Sequence, residues 1–199
     1  MGDREVQDMM LLMASKIHKI AERMSDAEVD GLVSEINCAR RVFVMGAGRS
    51  GLVAKAFAMR LMHLGLQSFV VGETITPALR QGDLVVVFSG SGETKTIADL
   101  AETAKNLGAR VALITYKKDS RIGRIADHVV MIPSQREKIG EESQEFEVRQ
   151  MMGEHKSFAP LGTLFETAAM VFADAIISRL MDIRECNIEE LRGRHANIE

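Results

Sequence analysis

Two stretches of the sequence each combine a short apolar run, a glycine-rich turn and a helical pattern. Residues 41–45 (RVFVM) lead into 46–51 (GAGRSG), and residues 84–88 (LVVVF) lead into 89–92 (SGSG). Continuous apolar strands that alternate with helices are typical of a parallel sheet that is covered on both faces. The chain is therefore predicted to be an α/β protein, with both glycine-rich turns at the carboxyl ends of strands.

The remaining sequence extends this alternation into one domain over residues 1–199. Apolar spacing predicts a helix over 5–24 and a second one from the N-cap Ser25 to about Ala39. Further strands are expected at 67–71, 110–115 and 128–132, and further helices at 52–64, up to Leu107 and over 160–180. The predicted organisation is thus N-terminal helices (1–40), a core of strands and helices (41–133), a charged connection read as a loop (134–157), and a C-terminal helix followed by a polar tail (160–199).

Composition excludes several classes of partner. The chain has 25 Lys and Arg against 28 Asp and Glu, no Trp and one Tyr, so it has neither a basic excess nor the aromatic faces that favour nucleic-acid binding. No apolar run approaches the roughly 20 residues of a membrane span, and no signal peptide opens the chain. Two cysteines without metal-ligand spacing indicate idle thiols in a reducing cytoplasm and no metal site.

The first glycine-rich turn matches the pattern GxGxxG. Glu73 lies 22 residues after Gly51, where a dinucleotide-binding protein carries the acidic residue that contacts a ribose hydroxyl. The same turn could also need glycine for packing alone. By itself this motif does not identify a ligand.

The second turn favours a phosphate. Its glycines let the backbone approach an anion, its hydroxyls add uncharged donors, and a helix N-terminus follows. Two such turns at the same edge of a parallel sheet would face one crevice and could hold one phosphate from several sides. The predicted phosphate-binding residues are Gly48, Arg49, Ser50, Ser89, Gly90, Ser91 and Thr94.

The segments VFVMGAGRSG and VVVFSGSGETKT resemble the sugar isomerase (SIS) domain. Within it, VGETITP, RLMHLG and the terminal RHANIE resemble the 6-phospho-3-hexuloisomerase family, over nearly the whole chain. The resemblance implies an enzyme that interconverts D-arabino-hex-3-ulose 6-phosphate and D-fructose 6-phosphate through an enediol. It also implies a flavodoxin-like three-layer sandwich with a five-stranded parallel sheet, a homotetramer with active sites near subunit interfaces, and no cofactor.

The same resemblance assigns a catalytic carboxylate to Glu166. The residues support this independently, because Glu166 lies in an otherwise apolar helical stretch where a carboxylate is unusual. An exposed position on an amphipathic helix would explain it equally simply.

Two histidines are candidates for opening the sugar ring or polarising a carbonyl. His195 lies in the terminal RHANIE segment, and His63 lies about 13 residues after Ser50, near the other end of the same helix. At 1.5 Å per residue this places His63 roughly 20 Å from the turn, so it could act only across a subunit interface. His195 is the favoured candidate, and it could also be contributed to the site by a neighbouring chain.

Some alternatives remain open at this point. Arg49 is expected either to contact the phosphate or to pair with an acidic residue across an interface. The function could also be that of another SIS isomerase, a non-catalytic sugar-phosphate regulator, or a nucleotide-dependent oxidoreductase.

Overall fold

The sheet is fully parallel, with five strands in the order β2-β1-β3-β4-β5. The structure is a computed structural model that describes residues 5–134 and 163–198. Its strands are β1 (Val42–Gly46), β2 (Ser68–Val70), β3 (Leu84–Phe88), β4 (Arg110–Thr115) and β5 (His128–Met131). This order is the flavodoxin-like arrangement, and it confirms the predicted fold class.

Helices cover both faces of the sheet. They are α1 (Glu5–Ala21), α2 (Asp26–Cys38), α3 (Gly48–His63), α4 (Lys95–Asn106), α5 (Thr163–Ile183) and the short α6 (Ile188–Gly193). Alternate residues of β3 face opposite sides: Val86 and Phe88 join a core with α2, α3 and α5, whereas Val85 and Val87 join a core with α4. Because both faces of the central strands β1, β3 and β4 are largely buried, these strands have nearly continuous apolar sequences.

The amino edge of the sheet is held by one buried carboxylate. Asp83, immediately before β3, has a side chain with 0% exposure and accepts hydrogen bonds at 2.6 and 3.0 Å from Arg41 and at 3.0 Å from Arg40. The backbone N–H of Arg80 donates a further bond of 2.8 Å. Burial alone would raise the pKa of Asp83, but these bonds and the two arginine charges outweigh burial and lower it.

The predicted boundaries hold for the strands within one residue and fail at four other places, one of which is the end of α5 at Ile183 rather than at residue 180. Helix α3 begins at Gly48 rather than at residue 52, because the glycine turn itself winds into the helix. Helix α1 ends at Ala21, and the polar tail contains helix α6, which Asn187 caps by accepting from Glu190 N–H. The predicted charged loop after residue 134 and the predicted helix start at Pro160 lie outside the described residues.

The predicted helix cap at Ser25 and the predicted free cysteines are both found in the described part of the chain. Ser25 caps α2 by accepting a hydrogen bond from Glu28 N–H at 3.4 Å, and Cys38 and Cys186 are both free thiols. Among the helices of residues 5–134 and 163–198, none has the length and apolar character needed to cross a membrane.

Candidate active site

Both glycine-rich turns lie side by side at the carboxyl edge of the sheet. They follow β1 and β3, which are neighbours, and Gly46 at the end of β1 is paired with Phe88 at the end of β3. Helices α3 and α4 leave the sheet from these two turns. The strand order reverses between β1 and β3, and crevices at such points are where open α/β sheets bind ligands.

The first turn requires glycine because the backbone passes very close to itself. A Cβ at Gly46 would lie 2.8 Å from the backbone of Ser50, and one at Gly51 would lie 2.7 Å from the carbonyl oxygen of Gly46. Gly48 has a φ of 54°, in the left-handed region that favours glycine. The motif is therefore explained by packing and conformation, and it leaves the amino end of α3 open toward the crevice.

Aromatic side chains pack against the second turn. A Cβ at Gly90 would lie 2.7 Å from Cε1 of Tyr116 and 3.2 Å from Cδ1 of Phe165. The rings of Tyr116 and Phe165 meet edge to face, with centroids 5.7 Å apart. Tyr116 N–H also donates to the carbonyl of Gly90 at 3.1 Å. Gly90 thus allows β4 and α5 to approach the turn.

The hydroxyl groups of the second turn are arranged around its backbone. Ser89 is buried and its Oγ accepts from Gly92 N–H at 3.2 Å, while Ser91 Oγ accepts from Glu93 N–H at 3.2 Å. Thr94 is the N-cap of α4 but makes no capping bond with its side chain. All three hydroxyls retain a proton to donate, at the positively polarised start of a helix.

Glu166, in the first turn of α5, lies beside the first glycine-rich turn. Its Oε1 is 3.5 Å from Ser50 Oγ, and its Oε2 is 4.0 Å from Arg49 Nε. The side chain is only 14% exposed, and Oε2 is buried without a hydrogen-bond partner. The structure therefore brings together Arg49, Ser50 and Glu166 of one chain, so Arg49 faces an acidic residue of its own subunit.

The two candidate histidines lie together, but at the opposite end of α3. The rings of His63 and His195 are 3.9 Å apart between centroids, and Arg194 Nη1 donates to the His63 carbonyl at 3.0 Å. His63 is 2% exposed, and its Nδ1 is buried without a partner. Burial, followed by the charges of His195 and Arg60, lowers the pKa of His63.

Within one chain, the histidines and Glu166 do not share a site. Ser50 and His63 are 13 residues apart on one continuous helix, which corresponds to about 20 Å. The predicted catalytic set is thus divided between the two ends of α3.

Several residues that contact the turns were not predicted from the sequence. Tyr116 and Phe165 were not identified, although the first residue after an apolar strand is a position where site residues often lie. Lys117 Nζ also lies 3.5 Å from Glu93 Oε1 beside the second turn. Glu73, the candidate ribose ligand, pairs with Lys55 at 2.6 Å. Within the described residues, no cluster of three or more His, Cys, Asp or Glu could hold a metal ion.

Comparisons with known proteins agree with this geometry. Residues 35–151 match the family model described as the SIS domain. The 3-hexulose-6-phosphate isomerase of Bacillus subtilis is 40% identical over 93% of this chain and 94% of its own length. The enzyme of the same name from Mycobacterium gastri is 40% identical over 100% of this chain and 93% of its own.

A solved structure gives the same indication. A protein from Methanococcus jannaschii, whose structure is described as inferring a molecular function of 3-hexulose-6-phosphate isomerase, superposes with a TM-score of 0.80. It is 29% identical, and the match covers 96% of this chain and 99% of that one. The name denotes the same activity as 6-phospho-3-hexuloisomerase, so the family that the sequence resembles is confirmed. The chain belongs to the SIS domain family and, within it, to the 3-hexulose-6-phosphate isomerases.

Proposed function

We propose that this protein interconverts D-arabino-hex-3-ulose 6-phosphate and D-fructose 6-phosphate, with Glu166 as the base. The observation that carries the proposal is the poorly solvated Glu166 carboxylate, held beside a glycine-rich turn that has the features of an anion site. Moving a carbonyl between C2 and C3 requires one proton to leave one carbon and return to the other. A single carboxylate above the plane of both carbons can perform both transfers.

The reaction in the direction from fructose 6-phosphate begins at C3. Glu166 removes the C3 proton, the electron pair forms the C2–C3 double bond, and the charge moves to the oxygen on C2. After that oxygen gains a proton and the oxygen on C3 loses one, the C3 carbonyl forms and Glu166 returns its proton to C2. Hydrogen-bond donors near the developing oxyanion would lower the barrier.

The phosphate group is proposed to bind between the two turns. Backbone amides at Gly48 and Gly90, the hydroxyls of Ser50, Ser89, Ser91 and Thr94, and the guanidinium of Arg49 would surround it. The amino ends of α3 and α4 both contribute favourable partial charge. The predominance of neutral donors explains why a phosphate-binding protein has a net charge of only −3.

We further propose that His63 and His195 serve the site of a neighbouring subunit in a homotetramer. About 20 Å of helix α3, from Ser50 to His63, separates them from Glu166 of their own chain. Apolar side chains exposed on α1 and α3 are available for contacts between subunits. They include Val6, Met10, Leu11, Leu52 and Met59, with exposures between 46% and 70%.

The activity is tested by supplying fructose 6-phosphate in D₂O. We expect the 3-ulose product in the carbon NMR spectrum, with deuterium at C3 of fructose 6-phosphate and at C2 of the product. Thermal stabilisation by fructose 6-phosphate without product or deuterium exchange would indicate a binding protein instead, and would contradict the proposal.

Subunit sharing is tested by mixing two inactive variants. Co-expressed Glu166→Gln and His63→Gln chains should form assemblies in which some sites combine an intact Glu166 with an intact His63. Activity well above that of either variant alone is expected, whereas activity equal to the sum of the two would exclude sharing.

A further inference from the structure

The two carboxylate oxygens of Glu166 face two consecutive residues of the first turn. Oε1 is 3.5 Å from the hydroxyl of Ser50, and Oε2 is 4.0 Å from Nε of Arg49. Charge-assisted hydrogen bonds usually measure 2.7–2.9 Å, so both contacts are loose. The carboxylate therefore lies next to a cation without being hydrogen-bonded to it.

Arg49 is placed so that it can serve a second anion. Its side chain is 60% exposed, and among the described residues Glu166 is its only ion-pair partner. It is the second residue of α3, directly after Gly48, where the amide groups of the turn face the crevice. A guanidinium binds phosphate through two parallel hydrogen bonds, which is a better arrangement than its present contact with Glu166.

We propose that Arg49 is shared between the base and the substrate's phosphate. In the free protein Arg49 neutralises Glu166, and on binding it moves onto the phosphate. The carboxylate then faces the sugar carbons without its counter-ion. The carboxylate is then free of the cation when the sugar carbons lie beside it, so phosphate binding would leave it available as the proton acceptor. This inference rests on the proposed function for the identity of the base and of the phosphorylated ligand.

A double-mutant cycle on binding tests the sharing of Arg49. Calorimetric titrations would use inorganic phosphate and D-glucitol 6-phosphate, which has no carbonyl and cannot be isomerised. Glu166→Gln is expected to tighten binding of both by about 3–10-fold, because Arg49 no longer has to leave a carboxylate. In an Arg49→Gln background there is no shared cation, so the same Glu166→Gln change should tighten binding by less than about 2-fold.

Two results would overturn the proposal. If Glu166→Gln tightens binding equally in both backgrounds, the carboxylate acts by direct repulsion of the anion and Arg49 is not shared. If it leaves binding unchanged or weakens it in the wild-type background, Arg49 does not have to leave Glu166 at all.

A matched control is Glu93→Gln on the second turn. This change also removes a negative charge near the phosphate, but the cation beside Glu93 is Lys117 and not Arg49. Its effect on binding should therefore be the same with Arg49 present or replaced. An effect that depended on Arg49 as strongly as that of Glu166→Gln would contradict specific sharing.

Kinetics provide a second readout that a purely structural Arg49 would not give. Arg49→Gln should raise KM about 10-fold or more and leave kcat within about 3-fold, because the base no longer needs to be released. A fall in kcat at unchanged KM would mean that Arg49 supports Glu166 throughout the reaction. The binding cycle is informative even if fructose 6-phosphate proves not to be a substrate, so failure of the isomerase assignment and failure of Arg49 sharing are distinguishable.

Discussion

Two arginine–carboxylate pairs lie at opposite ends of the same central strands, and they are built differently. At the amino edge, Asp83 is fully buried and accepts four hydrogen bonds of 2.6–3.0 Å from Arg40, Arg41 and the Arg80 backbone. At the carboxyl edge, Glu166 has a cation at 4.0 Å and a hydroxyl at 3.5 Å. A carboxylate such as Asp83, whose oxygens already accept several short hydrogen bonds, stabilises the fold. A carboxylate such as Glu166, with few hydrogen bonds, remains available to a ligand.

The largest expected effect is on activity, at Glu166. Glu166→Gln keeps the shape of the side chain but removes the proton acceptor, so kcat should fall by about 10³-fold. Because the carboxylate has few strong bonds to lose, the free energy of unfolding should change by less than about 0.5 kcal/mol. Steady-state kinetics and urea unfolding measure the two quantities. Near-normal turnover would exclude Glu166 as the base.

Asp83→Asn should show the opposite pattern. The change leaves Arg41, which is 13% exposed, without its buried counter-ion, and breaking such a pair costs about 3–5 kcal/mol of stability. The kcat of the folded protein should stay within about 2-fold. Asp99→Asn is the matched control, since Asp99 is 47% exposed and Arg121 keeps its bonds to Glu102, so a much smaller loss of stability is expected. Equal losses for the two variants would contradict the comparison.

Gly90→Ala tests whether the carboxyl edge is built for close approach. The added methyl would meet the Tyr116 ring at 2.7 Å, so the ring must shift against Phe165, next to Glu166. Overpacking of this kind costs about 1–3 kcal/mol, and kcat/KM should fall with it.

A smaller side chain at residue 116 should reduce this effect. The loss of stability caused by Gly90→Ala should be smaller in a Tyr116→Ser background than in the wild type, measured by thermal unfolding of all four proteins. Gly193→Ala is the control, because its methyl would have no neighbour within 4 Å. If Gly90→Ala costs the same in both backgrounds, the Tyr116 ring is not the obstacle.

The smallest expected effect is a pH dependence of stability due to His63. Its pKa is lowered by burial, so the unfolded chain binds a proton that the native protein does not once the pH falls below about 6.5. Stability should therefore decrease from pH 7 to pH 5, at no more than about 1.4 kcal/mol per pH unit for one proton. Asp83 has a lowered pKa, so its contribution is present throughout this range and is lost only in stronger acid.

A variant of His63 separates this contribution from others. Compared with the wild type in the same buffers, His63→Gln should flatten the dependence of the unfolding temperature on pH between 7 and 5. An unchanged slope in His63→Gln would mean that His63 takes up its proton in the folded state.

The sequence specified the sheet and the turns because their signals are local. Apolar runs gave β3 and β4 with their observed bounds, and glycine spacing located both turns. Contacts between distant segments leave no such local pattern. The approach of Phe165 to Gly90, and of Arg49 to Glu166, depends on how α5 packs against α3, whereas that of Tyr116 follows from the pairing of β3 with β4. The polar spacing of 188–193 also gave no apolar stripe, so α6 was missed, although Asn187 is a recognisable N-cap.

The packing of α5 against α3 also determines when the site can form. Ser50 and Glu166 are 116 residues apart in the chain. The two glycine-rich turns, in contrast, directly follow the neighbouring strands β1 and β3. A nascent chain can complete its central strands well before α5 leaves the ribosome, because domains form from the amino terminus as synthesis proceeds. Chains that end before α5 would contain both glycine-rich turns but lack the proposed base. Helix α5 also supplies Phe165, Phe172 and Leu180 to the core that covers Val86 and Phe88, so its docking completes the proposed site and one face of the sheet together.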